Sequence, residues 1–554
     1  MKLSILTNNT YSGGLDHPVE DLSVATAGGP LVMERYYSSA ATSAYTSPLG
    51  YGWAHNQDTR LIFSGMTGGE SGVVWFKAHS TNQYAFLDNG NGTYTATGGV
   101  LATLTKDAGP PVTYTVKTVY QSMYVFNDAG RLTTWTDAQG HPWTYTYDGS
   151  NRLDLVTDSS GTRFLDLAYD DQGRLSTVVD QTGRGVTYGY NAAGDLSSVV
   201  DVRGKTWTYT YDTSHRLRLV TDPNGVTVMH TEYDSLGRAY QQYDASGTLV
   251  LQLAYNADGT TTITDGLSHS DVHAFDNRRT LTSASDAQGG EIGKAYDDQL
   301  RPSSITDPNG NPTALTWSAN GANLTRIIDA EDAQVNLTYD SRNNLRQVTD
   351  ARQAVTTYSF NENDPDPAKQ TLLNSTTNAL NQTTSFTYTT AADAPQPPGL
   401  LKTITDASGH TRTFTYSATG QRLTSIDALG RTTSYTHDSL GRLKTTEDPS
   451  GRRNWTCYDN AGHVVRSVEN ASGSGGSPQT DPCDAANYIP SGDADKDRIT
   501  TTVYDDGGRA IATIDASGVI TRTYFNSDNR VEYVVQNLAG QGIEQHQLEV
   551  ARVE

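Results

Sequence analysis

Three carboxylates at alternating positions, Asp493, Asp495 and Asp497 in the segment GDADKD, have the spacing with which a calcium-binding loop opens. The remainder of such a loop is missing. Counted from Asp493, the sixth position is Arg498 instead of glycine and the twelfth is Tyr504 instead of glutamate. The three aspartates are therefore a weak calcium candidate beside the plainer reading of a solvated acidic loop. His269 and His273 have the i, i+4 spacing of a zinc helix, but the segment HSDVH lacks the glutamate of that motif and lies among strand-forming residues, so surface histidines are expected. The only two cysteines, Cys457 and Cys483, are 26 residues apart. In an oxidising compartment they could close a loop, at about 3 kcal/mol by chain-entropy arithmetic; two unpaired thiols are the alternative. The chain contains no G-x-S-x-G, G-x-x-x-x-G-K-[ST] or G-x-G-x-x-G. No catalytic residue, resident metal or cofactor is expected.

Composition narrows the partners. Hydrophobic residues make up 35% of the 554, and the net charge is −22 with no basic run, so the phosphate attraction on which nucleic-acid binders depend is missing. No stretch approaches the roughly 20 apolar residues of a membrane span, and MKLSIL is too short for the apolar region of a signal peptide. Nucleic acid and membrane insertion are excluded as expectations. The aromatics comprise 32 Tyr against 10 Phe and 7 Trp, which together with abundant Thr suits strands.

The elements that hold these residues come from an internal repeat. YDDQGRLSTVVD (169–180), YDTSHRLRLVTD (211–222) and HDSLGRLKTTED (437–448) are variants of one phrase. Its aromatic position recurs at Tyr124, Tyr147, Tyr169, Tyr190, Tyr211, Tyr233, Tyr255, Phe275, Tyr296, Trp317, Tyr339, Phe360, Tyr388, Tyr416, His437, Tyr458, Tyr504 and Tyr524. Most steps are 20 to 23 residues, and insertions at 361–371, 390–399 and 470–500 read as exposed loops. In WTYTYD, Trp143, Tyr145 and Tyr147 alternate with Thr144 and Thr146, a period of two that places the rings on one face of a strand. The Asp-x-x-Gly that follows suits a tight turn: Asp accepts a backbone N–H and Gly takes a positive φ. A second strand and a second Asp-x-x-Gly complete one hairpin per unit. Such hairpins must stack side by side, because one alone cannot bury its face. Leu and Val of GRLxxV, three apart, are expected on opposite faces of their strand. The arginines after the turn glycine, such as Arg131, Arg442 and Arg509, are expected to pair with turn aspartates and neighbouring carbonyls more readily than to grip a cargo.

The positions that define the phrase are Tyr147 and Asp148; Tyr169, Asp170, Gly173 and Arg174; Tyr211 and Asp212; Tyr233, Asp234, Gly237 and Arg238; and Tyr504 and Asp505. This repeated Tyr-Asp-x-x-Gly-Arg-Leu phrase resembles the YD repeat of the rearrangement-hotspot (RHS) family, which includes polymorphic toxins and toxin-complex shell subunits. GGPLVMERYYSSA (28–40) and SPLGYGWAHNQDTRL (47–61) resemble the domain that precedes such repeats in bacterial members. The resemblance implies an all-β chain whose tandem hairpins form a spiralling sheet or a partial hollow shell. It implies a β-rich N-terminal domain over 1–115 and repeats over 116–554 with an insertion loop at 470–500.

Function is likewise implied by the resemblance: a non-catalytic shell that encloses or shields a polypeptide cargo, either a C-terminal toxin or a separately encoded partner. Such a chain is expected to be secreted or at the cell surface as part of a longer protein. The self-cleaving core and variable toxin that family members carry after the shell have no counterpart before Glu554, so a shell segment is expected. The rival expectation is a surface adhesion or carbohydrate-binding repeat protein, its tyrosines and tryptophans stacking on glycans.

Overall fold

A computed structural model describes residues 8–536, except 43–45, 65–71, 79–82, 98, 473–480, 485–487, 489, 492 and 494, together with the backbone of 551–552. Its strands follow the alternation of the sequence. In Pro142–Tyr147 the ring of Tyr145 is buried while Thr144 and Thr146 face solvent. Forty-two strands, from Arg60–Ser64 to Val531–Val535, form one antiparallel sheet in which each strand pairs with its neighbours in sequence. The sheet runs unbroken across residue 115. It is open: among the described residues no ladder joins its last strand to its first. Only its beginning curls onto itself, where an isolated bridge joins Arg60 to Arg131 and Leu61 N–H donates to the Gly130 carbonyl at 2.8 Å. This curl encloses Leu61, Val74, Phe76, Phe86, Leu104 and Phe126, all buried.

Most hairpins are closed by the same turn. At Asp170 the carboxylate accepts from Gln172 N–H at 3.0 Å and Arg174 N–H at 2.8 Å, while Gly173 adopts φ +78°. That left-handed φ favours glycine because it has no Cβ to clash. Immediately after the turn comes a bulge. Tyr169 pairs with Leu175 but Ala168 pairs with Thr177, so Ser176 is an extra residue on the second strand. The extra residue shifts the pleat by one and returns Val178 to the face of Leu175. Both are fully buried, which corrects the expectation that Leu and Val of GRLxxV face opposite ways. The same bulge fixes the phase of the last unit: Phe525, not Tyr524, pairs with Val531 beside the shift.

The strip spirals. Turns that follow aromatic strands (aromatic turns) lie along one edge, and turns that lead back to the next aromatic strand (return turns) lie along the other. Return turns of a first coil meet aromatic turns of a second coil. Asn343 Nδ2 donates to the Val119 carbonyl at 3.1 Å, Arg184 Nη1 to the Asn460 carbonyl at 2.7 Å, and Asn529 Nδ2 to Asp222 at 3.3 Å. The insertions at 361–371 and 390–399 lie in this seam. Thr371 donates to the Ala138 carbonyl, and His141 Nε2 lies 2.9 Å from the Pro398 carbonyl. Gln370 and Thr389 are buried there, so these loops are more enclosed than their composition suggests.

The N-terminal domain is a four-stranded sheet of Asn8–Asn9, Gly14–Thr26, Gly29–Ser38 and Trp53–His55. Its long hairpin packs on the ring face of the first coil. Leu22, Leu31, Met33 and Trp53 share one core with Leu165, Val178, Tyr188 and Tyr209.

Candidate functional site

Among the described residues, the surface with functional potential is the ring face of the strip. Where the full phrase is present, three contacts hold that face in register. Asp170 accepts from Arg174 Nε at 2.8 Å, the Arg174 guanidinium lies 4.4 Å from the centre of the Tyr190 ring, and Tyr190 Oη donates to the Leu175 carbonyl at 2.6 Å. The sequence-defined positions repeat this arrangement. Arg152, bound to Asp148, covers Tyr169, whose hydroxyl donates to the Leu153 carbonyl at 2.8 Å. Arg216, bound to Asp212, covers Tyr233, and Arg238, bound to Asp234, covers Tyr255 at 4.0 Å. Tyr147 and Tyr211 donate to the carbonyls of Leu132 and Leu196. Tyr504 donates to the Val464 carbonyl at 3.2 Å, and Asp505 holds Arg509 over Phe525. Gly237 supplies the positive φ of its turn, as Gly173 does. Arg442 and Arg509 thus pair with turn aspartates, as their spacing suggests, whereas the turn before Arg131 has Asn127 in the aspartate's place; stacking on the next unit's ring adds to the expected pairing. Its signal was present, because an arginine after the turn regularly precedes the next aromatic position by about 16 residues.

On the first coil this face is covered. Arg35, fully buried, binds Asp21 through Nε at 2.7 Å and donates from Nη2 to Tyr209 Oη at 2.8 Å; its guanidinium lies 4.8 Å from the Trp53 ring. Burial alone would lower the Arg35 pKa, but Asp21 and the surrounding hydroxyls hold it above its ordinary value. Trp53 Nε1 donates to Tyr211 Oη at 2.8 Å, and Tyr188 Oη donates to Asp21 at 2.8 Å. Burial raises the pKa of Tyr188, Tyr209 and Tyr211, keeping these hydroxyls as donors. Nothing in the sequence pattern singled out Arg35 or Asp21, since their meeting with Tyr188 and Tyr209 spans more than 160 residues.

On the second coil, among the described residues, the same face lacks that cover. Tyr339, Tyr358, Phe360 and Tyr388 are half-buried, and Ile292 and Ile305 are exposed.

The remaining sequence candidates fall elsewhere. Cys457 and Cys483 are joined by a disulfide with a Cα–Cα distance of 5.3 Å. The bond ties the 470–500 insertion to the strand Arg453–Tyr458, where Tyr488 packs with Val468, Trp455 and Ile499. Asp497 does not pool its carboxylate with its neighbours: it accepts from Ser472 N–H at 2.6 Å, Ser491 N–H at 2.7 Å and the Tyr488 hydroxyl. Although burial opposes it, these donors lower its pKa well beneath the carboxylate range. Asp493 pairs with Lys496, and Asp495 N–H donates to Asp493. Among the described residues no group of three or more potential ligands could hold a metal. His269 pairs with Asp265 in an exposed turn, while His273 lies on a strand beside Thr10, so the two are not brought together. Among the described residues no helix is long and apolar enough to cross a membrane.

The repeat seen in the geometry has a counterpart among known families. The sequence model of the RHS Repeat matches residues 126–163, 169–202, 190–227 and 416–453. The chain carries RHS repeats. A second family, Domain of unknown function (DUF6531), matches residues 9–86 of this RHS-repeat chain, the part that supplies the covering hairpin. Among curated proteins no sequence matches it. Similar solved structures include a TcdB2-TccC3-TEV crystal structure, with a TM-score of 0.43, 13% identity, and coverage of 94% of this chain and 32% of that one. A Photorhabdus luminescens Tc holotoxin pore has a TM-score of 0.38 and 12% identity, with the same coverage of 94% and 32%. The RHS-repeat chain spans about a third of the length of these chains.

Proposed function

We propose that this RHS-repeat chain is a non-catalytic wall segment that shields a polypeptide cargo on its ring face, in a secreted or surface-exposed assembly. The observation that supports it most is internal to the chain. The ring face of the first coil already holds an extended polypeptide, the hairpin of Gly14–Thr26 and Gly29–Ser38, by burying apolar side chains and satisfying its polar groups. The same face continues along the second coil, where among the described residues it has no such cover. A strip with half-buried rings, apolar strands and few special polar groups favours apolar segments in general, which suits shielding better than selective recognition. Exclusion of solvent, proteases and folding partners is a steric task and requires no catalytic side chain.

A photocrosslinking experiment tests the reading. Benzoylphenylalanine at Phe386, on the ring face, is expected to capture an unfolded polypeptide fused after Glu554, whereas the same probe at Thr387, on the opposite face of that strand, is expected to capture little. Equal capture at both positions, or none at Phe386, would overturn it.

A further inference from the structure

Where the N-terminal sheet passes into the long sheet, a buried cluster sets an amine against a carboxylate. Lys77, the last residue of the strand Val73–Lys77, has a fully buried side chain, and its Nζ binds Asp58 Oδ2, on a side chain that is 14% exposed. Asp58 lies in the connection between the strands Trp53–His55 and Arg60–Ser64, and its N–H donates to the His55 carbonyl at 3.1 Å. Arg60, the ladder partner of Lys77, places Nη1 3.3 Å from the other carboxylate oxygen, Oδ1. The His55 ring is buried within electrostatic reach of all three, and its Nδ1 has no hydrogen-bond partner among the described residues. The cluster sits against the ring face of the first coil, where Asp58 adds to the burial that raises the pKa of Tyr147 and Tyr169.

A buried ion pair gives up the hydration of both charges and recovers only part of it from their attraction. Burial draws the Lys77 pKa below its ordinary value, although Asp58 opposes the shift. Burial alone would raise the Asp58 pKa, but Lys77 and Arg60 hold it below its ordinary value. The reactive arrangement is therefore reached by moving one proton within the pair, from Nζ to Oδ2, which leaves an uncharged amine against an uncharged carboxyl. In water, ionisation of the freed amine and acid favours hydrolysis of an amide; an interior that solvates those charges poorly removes much of that advantage. Holding the two groups in contact supplies an effective concentration of about 10⁵–10⁸ M.

We propose that Lys77 and Asp58 condense into an intramolecular isopeptide bond, a modification that the folded chain makes on itself once. Lys77 Nζ attacks Asp58 Cγ, forming the C–N bond, and the electron pair displaced from the carbonyl rests on Oδ1, where Arg60 stabilises it. His55 takes a second proton from Nζ and returns it to Oδ2; the Cγ–Oδ2 bond then breaks and water leaves. Two of the three ammonium protons depart with Oδ2 and the third stays on the amide nitrogen, so the step needs no co-reactant. The bond ties the exit of the N-terminal sheet to the second strand of the long sheet, at the base of the hairpin that covers the first coil. The inference concerns this junction and stands independently of what the ring face shields.

The test is the mass of the full chain, reduced and denatured so that the bond between Cys457 and Cys483 makes no contribution. The chain is expected to be lighter than its sequence by one water. Trypsin, which does not cleave after an acylated lysine, is expected to release residues 36–60 joined to 61–106. Lys77→Arg should restore the full mass and abolish the joined peptide. In pulse-labelled chains, His55→Gln should slow closure about a hundredfold, and an unchanged rate would overturn the part assigned to His55. A parent chain of full mass would overturn the proposal without any variant having to fold. Loss of water accompanied by release of the free peptide 61–77 would overturn it as well, because the water would then have come from a different reaction.

Discussion

The pentapeptide Asp-Ser-Leu-Gly-Arg occurs twice, at 234–238 and 438–442, and folds identically both times. Leu236 and Leu440 each donate N–H to the turn aspartate at 2.9 Å, and Arg238 and Arg442 each bind that aspartate and cover the next tyrosine ring. Yet Leu236 is 75% exposed and Leu440 is 6% exposed. The second copy lies in the seam, where Ala25 N–H meets the Leu440 carbonyl and Arg163 the Ser439 carbonyl. Five identical residues thus encode one turn and two environments. Local sequence determines the hairpin, while position along the spiral determines what covers it. The same division separates the ring faces: the first coil is roofed by the N-terminal hairpin, and among the described residues nothing roofs the second.

The largest expected effect breaks that roof. Arg35→Ala leaves Asp21 buried beside Tyr188 without its cation, which should cost about 3–5 kcal/mol; the chain's urea midpoint should fall accordingly. A second-coil arginine in an exposed return turn offers the contrast, and Arg431→Ala should change stability by less than about 0.5 kcal/mol. If the two substitutions prove equal, the roof does not bind the first coil as its contacts imply.

Next is a pH effect confined to the N-terminal domain and the first strand of the long sheet. Burial lowers the His55 pKa to about 4, with Lys77 and Arg60 acting in the same direction and Asp58 opposing. A folded-state pKa below the unfolded value of about 6.5 means that the unfolded chain binds more protons between these limits. Stability is therefore full above about pH 6.5 and is lost progressively as the pH falls towards 4, by ~3 kcal/mol in all. Hydrogen exchange at pH 7 and pH 4.5 should show protection lost preferentially in Trp53–His55 and Arg60–Ser64, with the second coil less affected. His55→Gln should flatten the dependence. Loss of protection spread uniformly over both coils would count against it.

The repeated leucines sharpen the comparison at single-residue scale. Leu440→Ala should cost about 2 kcal/mol, at the low end for a buried leucine because a turn can partly collapse around the gap. Leu236→Ala should fall within about 0.5 kcal/mol of the parent. Thermal or urea melts of the two variants settle the matter, and a reversed order would mean that the seam is not formed in solution.

These contrasts mark where the sequence was legible. Alternating rings and threonines identified the strands, Asp-x-x-Gly identified the turns, and the period identified the stacking, because each is fixed by residues within about 20 positions of one another. The disulfide stood as an open alternative, since the spacing of Cys457 and Cys483 allows a bond without requiring one. The bulge after most aromatic turns was missed because no glycine or proline follows the turn glycine of GRLxxV to mark it, and its presence depends on pairing with the preceding strand. Arg35, Asp21 and the seam were not legible for a different reason: their partners are 160 to 310 residues away, and no local pattern distinguishes a return turn that will be covered from one that will not. The candidate surface shares this property. Its rings were readable at every unit, but the roofing of one coil and the openness of the other were not.

The smallest expected effect probes the bond that both coils share. In most units the tyrosine hydroxyl donates to a carbonyl in the preceding hairpin, at 2.6 Å for both Tyr211 and Tyr416. Tyr416→Phe removes one such bond on a half-buried ring, where water can reach the freed Leu401 carbonyl, and should cost about 1 kcal/mol or less. Tyr211→Phe also leaves the Trp53 indole N–H without its acceptor beneath the roof, so its cost should be greater by about 1 kcal/mol. Combining each change with Trp53→Phe separates the two causes. In the cycle with Tyr211 the penalties should be strongly non-additive, since one partner's loss makes the other's irrelevant, whereas with Tyr416 they should simply add. Additivity in both cycles would mean that the indole bond contributes nothing to the roof, leaving apolar packing alone to account for the difference between the coils.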